Sequence, residues 1–137
     1  MDPYLDLISR QEKVLRSPRH IESQLQRQCV AWFRLQYPKH DRLLFAVPNG
    51  GARSRIEAAI MKAEGVTAGV ADLILLVPRK GYGCLCLEMK TKSVSSRQSP
   101  AQKAWQRAAE DAGNVYAVVR TLEDFQDIVN DYLIEKR

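Results

Sequence analysis

Residues 71–92 read ADLILLVPRKGYGCLCLEMKTK. Two apolar runs, Asp72–Val77 and Cys84–Thr91, flank the turn-forming PRKGYG, so the stretch predicts a β-hairpin. Its strands carry charges that folding alone gives little reason for. Asp72 opens the first strand, and Glu88 and Lys90 close the second. Alternation puts Leu85, Leu87 and Met89 on one face, with Cys84, Cys86, Glu88 and Lys90 on the other. With Val77 and Cys84 flanking the turn, the numbers of paired residues add to about 161, which sets Asp72 opposite residues 88–90. A register slip of one residue still leaves Asp72 close to Glu88 and Lys90.

Two carboxylates and an ammonium at one hairpin end admit two readings. One is a salt-bridge cluster in which Lys90 pairs with the acids. The other is a Mg²⁺ site, because hard cations take oxygen ligands and Mg²⁺ needs only one or two carboxylates. A lysine beside such a site can orient or deprotonate an attacking water, or offset charge building on a phosphate.

Outward from the hairpin, the chain alternates helices and strands. PYLDLISRQEKVLR, residues 3–16, can form a short amphipathic helix, and residues 1–18 read as an N-terminal helical extension of a domain spanning 19–137. A stronger helix follows, with Ile21, Leu25, Trp32 and Leu35 on one stripe and Pro38 at its end. RLLFAVPNGG is a short strand stopped by Pro48 and a turn at Asn49-Gly50-Gly51. Ser54 caps a helix that Gly65 ends. After the hairpin come a polar loop, a helix over Pro100–Ala112 with Ala101, Trp105, Ala108, Ala109 and Ala112 on one stripe, the strand NVYAVVR, and a closing helix. Leu122, Phe125, Val129, Tyr132 and Leu133 share one side of that last helix. The order α-α-β-α-β-β-α-β-α indicates a mixed central sheet flanked by helices.

The bulk composition narrows the class. At 137 residues, 45% hydrophobic and 27% charged, the chain is large enough for one domain with its own core and too apolar for disorder. No apolar run approaches the roughly 18 residues that a membrane span needs, and the N-terminus lacks the order of a secretory signal. Three cysteines without zinc-ligand spacing read as reduced thiols, which suits the cytoplasm of a bacterial cell or a phage-infected host. The net charge of +5 is compatible with a polyanionic partner.

Taken together, GVTAGVADLILLV (residues 65–77), CLCLEMKTK (84–92) and SPAQKAWQ (99–106) resemble the virus-type replication-repair nuclease (VRR-NUC) family of the PD-(D/E)XK nuclease superfamily. Glu22, Pro48-Asn49-Gly50 and the Gly69-Val70 lead-in add to the likeness, which covers roughly Ile21–Val129. The resemblance implies an α/β, restriction-endonuclease-like core. It makes Asp72 and Glu88 ligands of Mg²⁺ or Mn²⁺, with the Met89 backbone carbonyl completing the coordination, and Lys90 the catalytic lysine. Glu22 matches a helical glutamate that helps bind metal directly or through water, and Gln102 matches the glutamine of a helix bordering the site. The residue before the aspartate is often Pro in the family and is Ala71 here. Pro there supplies backbone shape and no ligand, so the chemistry is little affected.

Each supporting residue also has a plainer explanation. Glu22 lies in line with Gln26, Cys29 and Phe33, at the edge of the expected stripe, where the helix dipole alone favours an acid. Gln102 fits a Ser99-Pro100-Ala101-Gln102 capping box. Asn49, Arg53 and Arg55 form a turn with a basic flank that suits bidentate phosphate contact, and Lys92, Arg97 and Lys103 extend that surface. Trp32 and Trp105 read as core, and His20 and His40 take no catalytic part.

The resemblance points to a metal-dependent endonuclease acting on branched or structured DNA in repair or recombination, with no small-molecule cofactor. Short stand-alone members look like four-way (Holliday) junction resolvases, and symmetric cutting calls for a C2 homodimer. Flap, nick or sequence-specific cleavage, action on RNA, and a nuclease fold that only binds are the competing readings.

Overall fold

The computed structural model describes residues 18–48, 51–93 and 97–134. The expected helix at residues 3–16 lies outside them, as do Asn49 and Gly50. Helix α1, Pro18–Gln36, is followed by a 3-10 helix, Pro38–Leu43, that begins where the proline stops α1. Then come β1 (Leu44–Ala46), α2 (Arg55–Ala63), β2 (Leu73–Leu75), β3 (Leu85–Met89), α3 (Pro100–Asp111), β4 (Val115–Val119) and α4 (Leu122–Leu133). The strands lie side by side in chain order. β1, β2 and β3 run antiparallel, and β4 runs parallel to β3 after the crossover through α3. This is the expected mixed sheet flanked by helices, with the 3-10 helix added.

Apolar layers form on both faces of the sheet. On one, Leu73, Leu75, Leu85, Leu87 and Met89 join Cys29 and Phe33 of α1 and Phe125 and Val129 of α4 in the main core. On the other, Ala71, Cys86 and Tyr116 pack with Ala109 and Trp105 of α3. The alternation read along β3 is therefore the observed one, and all five of its residues are buried. The buried side of α4 is also as expected, with Phe125, Val129, Tyr132 and Leu133 inside.

Two helices are rotated from their expected stripes. In α1, Leu25, Cys29, Trp32 and Phe33 meet the core, while Ile21 and Leu35 are 42% and 86% exposed. Phe33 offers a larger apolar area than either aliphatic side chain. It also joins an aromatic group in which Trp32 meets Phe125 edge-on, ring centroids 5.9 Å apart. In α3, Gln102, Trp105, Gln106 and Ala109 turn toward the sheet, and Ala101, Ala108 and Ala112 are exposed. The two glutamines face inward because polar partners await them there.

The hairpin's register shifts along its length. Arg79 pairs with Tyr82 across the Lys80-Gly81 turn, whose φ values of 53° and 85° suit a two-residue hairpin loop. Farther on, Leu75 pairs with Leu85 and Leu73 with Leu87. Three residues, 76–78, thus face two, 83–84, and this one-residue bulge slips the ladder by one from the expected register. One more step sets Asp72 directly opposite Glu88.

The lead-in to β2 is fixed by Gly69. Its φ is +85°, and a Cβ there would lie 2.3 Å from the Ala101 carbonyl oxygen. Only glycine lets this segment lie against the first turn of α3, which holds Asp72 near Gln102.

Candidate active site

Asp72 sits just outside β2, where its side chain takes over from the backbone ladder. Oδ2 accepts the Met89 amide at 2.7 Å, while the Asp72 carbonyl accepts the Val47 amide at 2.9 Å. The aspartate is thereby tied to both neighbouring strands and remains half-buried.

Glu88, across from it, is only 2% exposed. Gln102 Nε2 donates to Glu88 Oε1 at 2.7 Å, and the Tyr116 hydroxyl donates to Oε2 at 3.2 Å. Gln102 closes its capping box at the same time: its Oε1 accepts the Ser99 amide at 2.8 Å, and its own amide donates to Ser99 Oγ. One residue therefore starts α3 and contacts the buried carboxyl. Burial pushes the Glu88 carboxyl up to about 8; the Asp72 charge and a hydrogen bond between the two carboxyls add to the rise, and Lys90 and Tyr116 oppose it. Burial and Glu88 raise the Tyr116 hydroxyl as well, which keeps it a donor at neutral pH.

This donor set fits a hard divalent cation. Glu88 resists ionising because it is buried and faces the Asp72 charge, and a cation between the two carboxyls removes that conflict. Lys90, two residues beyond Glu88 on the same face, is 9% exposed. Glu22 lines a cleft of about 670 Å³ together with Asp72 and Met89. Among the described residues no three acidic, histidine or cysteine side chains converge on a metal-sized space. Glu22 thus borders the Asp72–Glu88 pair without joining it in one cluster.

The basic residues distribute differently from the sequence expectation. Arg53 and Arg55 are exposed at the start of α2 and do not line the cleft. Lys92 lines a separate recess of about 700 Å³ with Thr91 and Arg120, between α1 and the start of α4. Arg97 is exposed, and Lys103 is exposed beside Arg107, Glu110 and Asp111. Arg27 and Arg34 of α1 do line the cleft, Arg34 with its guanidinium 3.0 Å from Asp41. Sequence reasoning passed over both, although Glu22, Gln26, Val30 and Arg34 recur every fourth residue along one side of that helix. It also passed over Tyr116 and Gln98, which meet the site from outside the hairpin.

The family model of the VRR-NUC domain matches residues 9–121. A solved structure described as a VRR_NUC domain protein superposes with a TM-score of 0.70 at 26% sequence identity, covering 82% of this chain and 87% of that one. No curated protein matches. With the same fold and the same motif-bearing hairpin spanned by the family model, this chain belongs to the VRR-NUC domain family.

Proposed function

We propose that the chain is a divalent-metal-dependent endonuclease that hydrolyses DNA phosphodiester bonds, acting on branched DNA and in particular on four-way junctions. VRR-NUC is a nuclease family. The observation that carries the metal-dependent reading is the half-buried Asp72 opposite the buried Glu88 at the sheet's end, with Lys90 beside them and an open cleft against Asp72.

When bound, Mg²⁺ or Mn²⁺ held by Asp72, Glu88 and the Met89 carbonyl would supply Lewis-acid polarisation of the scissile phosphate. Lys90 orients the attacking water and takes its proton. Glu22 orients solvent from the α1 side of the cleft. Gln102 keeps Glu88 aimed at Asp72. Arg27, on the cleft wall, offers a planar guanidinium to non-bridging phosphate oxygens. Arg53, Arg55, Lys92, Arg97 and Lys103 serve the flanking strands, and Asn49 falls outside the described residues. Contacts of that kind follow the backbone and shape of DNA and carry no base sequence. Paired incision of a junction calls for two such sites, hence a two-fold dimer.

The test compares a labelled four-way junction, a flap, a duplex and a single strand, with wild type and Asp72→Asn, in Mg²⁺, Mn²⁺ and excess EDTA. Asparagine is the better variant because its amide oxygen can still accept the Met89 amide. Asp72→Ala strands that donor at a cost of about 1–3 kcal/mol and mixes folding with chemistry. Paired symmetric nicks on the junction, lost in Asp72→Asn and in EDTA, are expected. Cutting by Asp72→Asn or in EDTA overturns the metal-dependent mechanism. Cutting confined to the flap or single strand discards the junction preference, and binding without cutting leaves a non-catalytic module.

A further inference from the structure

We propose that Tyr116 and Gln98 form an outer brace that holds the Glu88 carboxylate in the orientation a divalent cation needs. The inference rests on the metal-dependent reading above and adds two positioning residues to it, neither of which touches the reacting phosphate.

The brace is built from parts far apart in sequence. Tyr116 pairs with Cys86 in the parallel β3–β4 register, and side chains paired in this way share a face with Glu88, two residues along. Its hydroxyl donates to Glu88 Oε2 at 3.2 Å and accepts from Gln98 Nε2 at 3.1 Å. The same Gln98 amide donates to Gln106 Oε1 at 2.9 Å, which ties the brace to α3. The tyrosine ring is 8% exposed and stands against Trp105 with centroids 6.1 Å apart, so the hydroxyl has little freedom to turn away.

The geometry leaves Glu88 one use. Gln102 occupies one lone pair of Oε1 and Tyr116 one of Oε2. Each carboxylate oxygen has a second lone pair, and Asp72 is the further carboxyl that Glu88 meets. A carboxyl clamped at both oxygens and facing a second carboxyl is pre-oriented for a shared cation, which would take the place of the hydrogen bond between them. Such outer-shell partners typically set metal affinity by roughly 10–100-fold. A tyrosine kept only to fill space would need neither the hydroxyl nor a glutamine behind it.

The test is Mn²⁺ binding to the full chain without DNA, followed by the electron paramagnetic resonance signal of free Mn²⁺. Wild type, Tyr116→Phe, Gln98→Ala and Asp72→Asn are compared, with thermal unfolding measured alongside. Tyr116→Phe keeps the ring and removes the hydroxyl. It should weaken Mn²⁺ binding by roughly 10–100-fold and raise the metal concentration for half-maximal cutting by the same factor, with cutting at saturating Mn²⁺ largely restored. Gln98→Ala, placed at the half-buried outer end of the brace, should shift both quantities the same way by less. Affinity within about twofold of wild type in both variants makes Tyr116 a packing residue and overturns the proposal. A wild type that binds no Mn²⁺, or binds it equally after Asp72→Asn, overturns the metal reading and this inference together.

Discussion

Glu88 is buried, hydrogen-bonded on both oxygens and opposed by Asp72, and its protonation therefore couples the fold to pH. Its carboxyl rises from 4.5 to about 8 in the folded chain. A carboxyl with the higher pKa in the fold binds its proton more tightly there than in the unfolded chain. Its contribution to stability is fully present below pH 4.5 and is lost as pH climbs through about 8. The metal-free protein should show a melting temperature that falls over this window, and Glu88→Gln should flatten the slope. Added Mg²⁺ or Mn²⁺ should restore stability at the alkaline end, since the cation replaces the proton between the carboxyls. Melting curves at several pH values, with and without metal, check both; a metal-free stability that rises with pH across the window would contradict the assignment. Asp72, Glu88 and Lys90 were legible because each breaks an apolar alternation at a position where folding gains little. Tyr116 was not. Its partner lies 28 residues away across a parallel pair, and a tyrosine in an aliphatic strand looks like ordinary core.

Elements carry the site by how they end. β2 begins only at Leu73, so that the Asp72 side chain can replace a ladder bond, and α3 starts at Pro100 with a cap that reaches Glu88. Gly69 joins the two. Gly69→Ala would bring a Cβ to 2.3 Å from the Ala101 oxygen and 2.7 Å from the Gln102 nitrogen, both backbone atoms, at a φ that disfavours any side chain. A destabilisation of about 3 kcal/mol or more is expected, read by urea unfolding, together with weakened metal binding as α3 retreats from Glu88. By contrast, Gly65→Ala meets no atom within 4 Å at a similar φ and serves as the control for backbone strain alone. Had Gly69→Ala cost no more than that control, the close approach to α3 would carry no weight. The order of elements was readable because Pro38, Pro48, Ser54, Gly65, Ser99-Pro100 and Gly113 punctuate it. The facing of α1 and α3 was not, since periodicity gives a stripe while the partners across the gap decide which adjacent row turns inward. The register slip had the same origin: the turn fixes pairing only as far as the first bulge.

At the scale of the whole molecule, the two faces of the sheet are unequally covered. α1 and α4 close one side, whereas on the other α3 packs against β4 and, among the described residues, the cover thins toward β1 beyond Ile74. Phe45 and Leu76 lie there as diagonal neighbours on adjacent strands, 42% and 54% exposed. No helix among the described residues is long and apolar enough to cross a membrane. If the active unit is the two-fold dimer that paired junction cutting calls for, a charge at this apolar pair tests whether the pair belongs to its interface. Leu76→Glu, at an exposed position, should change folding stability by about 0.5 kcal/mol or less. In sedimentation at micromolar concentration, wild type should run as a dimer and Leu76→Glu as a monomer. The variant should keep metal-dependent nicking, because Leu76 lies four residues along from Asp72 and touches none of Asp72's or Glu88's hydrogen-bond partners. It should lose the simultaneous opposite-strand incisions, leaving singly nicked junctions. A Leu76→Glu dimer that still cuts in pairs moves the interface elsewhere. A wild type that is monomeric with and without junction DNA removes the resolvase reading, and leaves a nuclease that cuts one strand at a time.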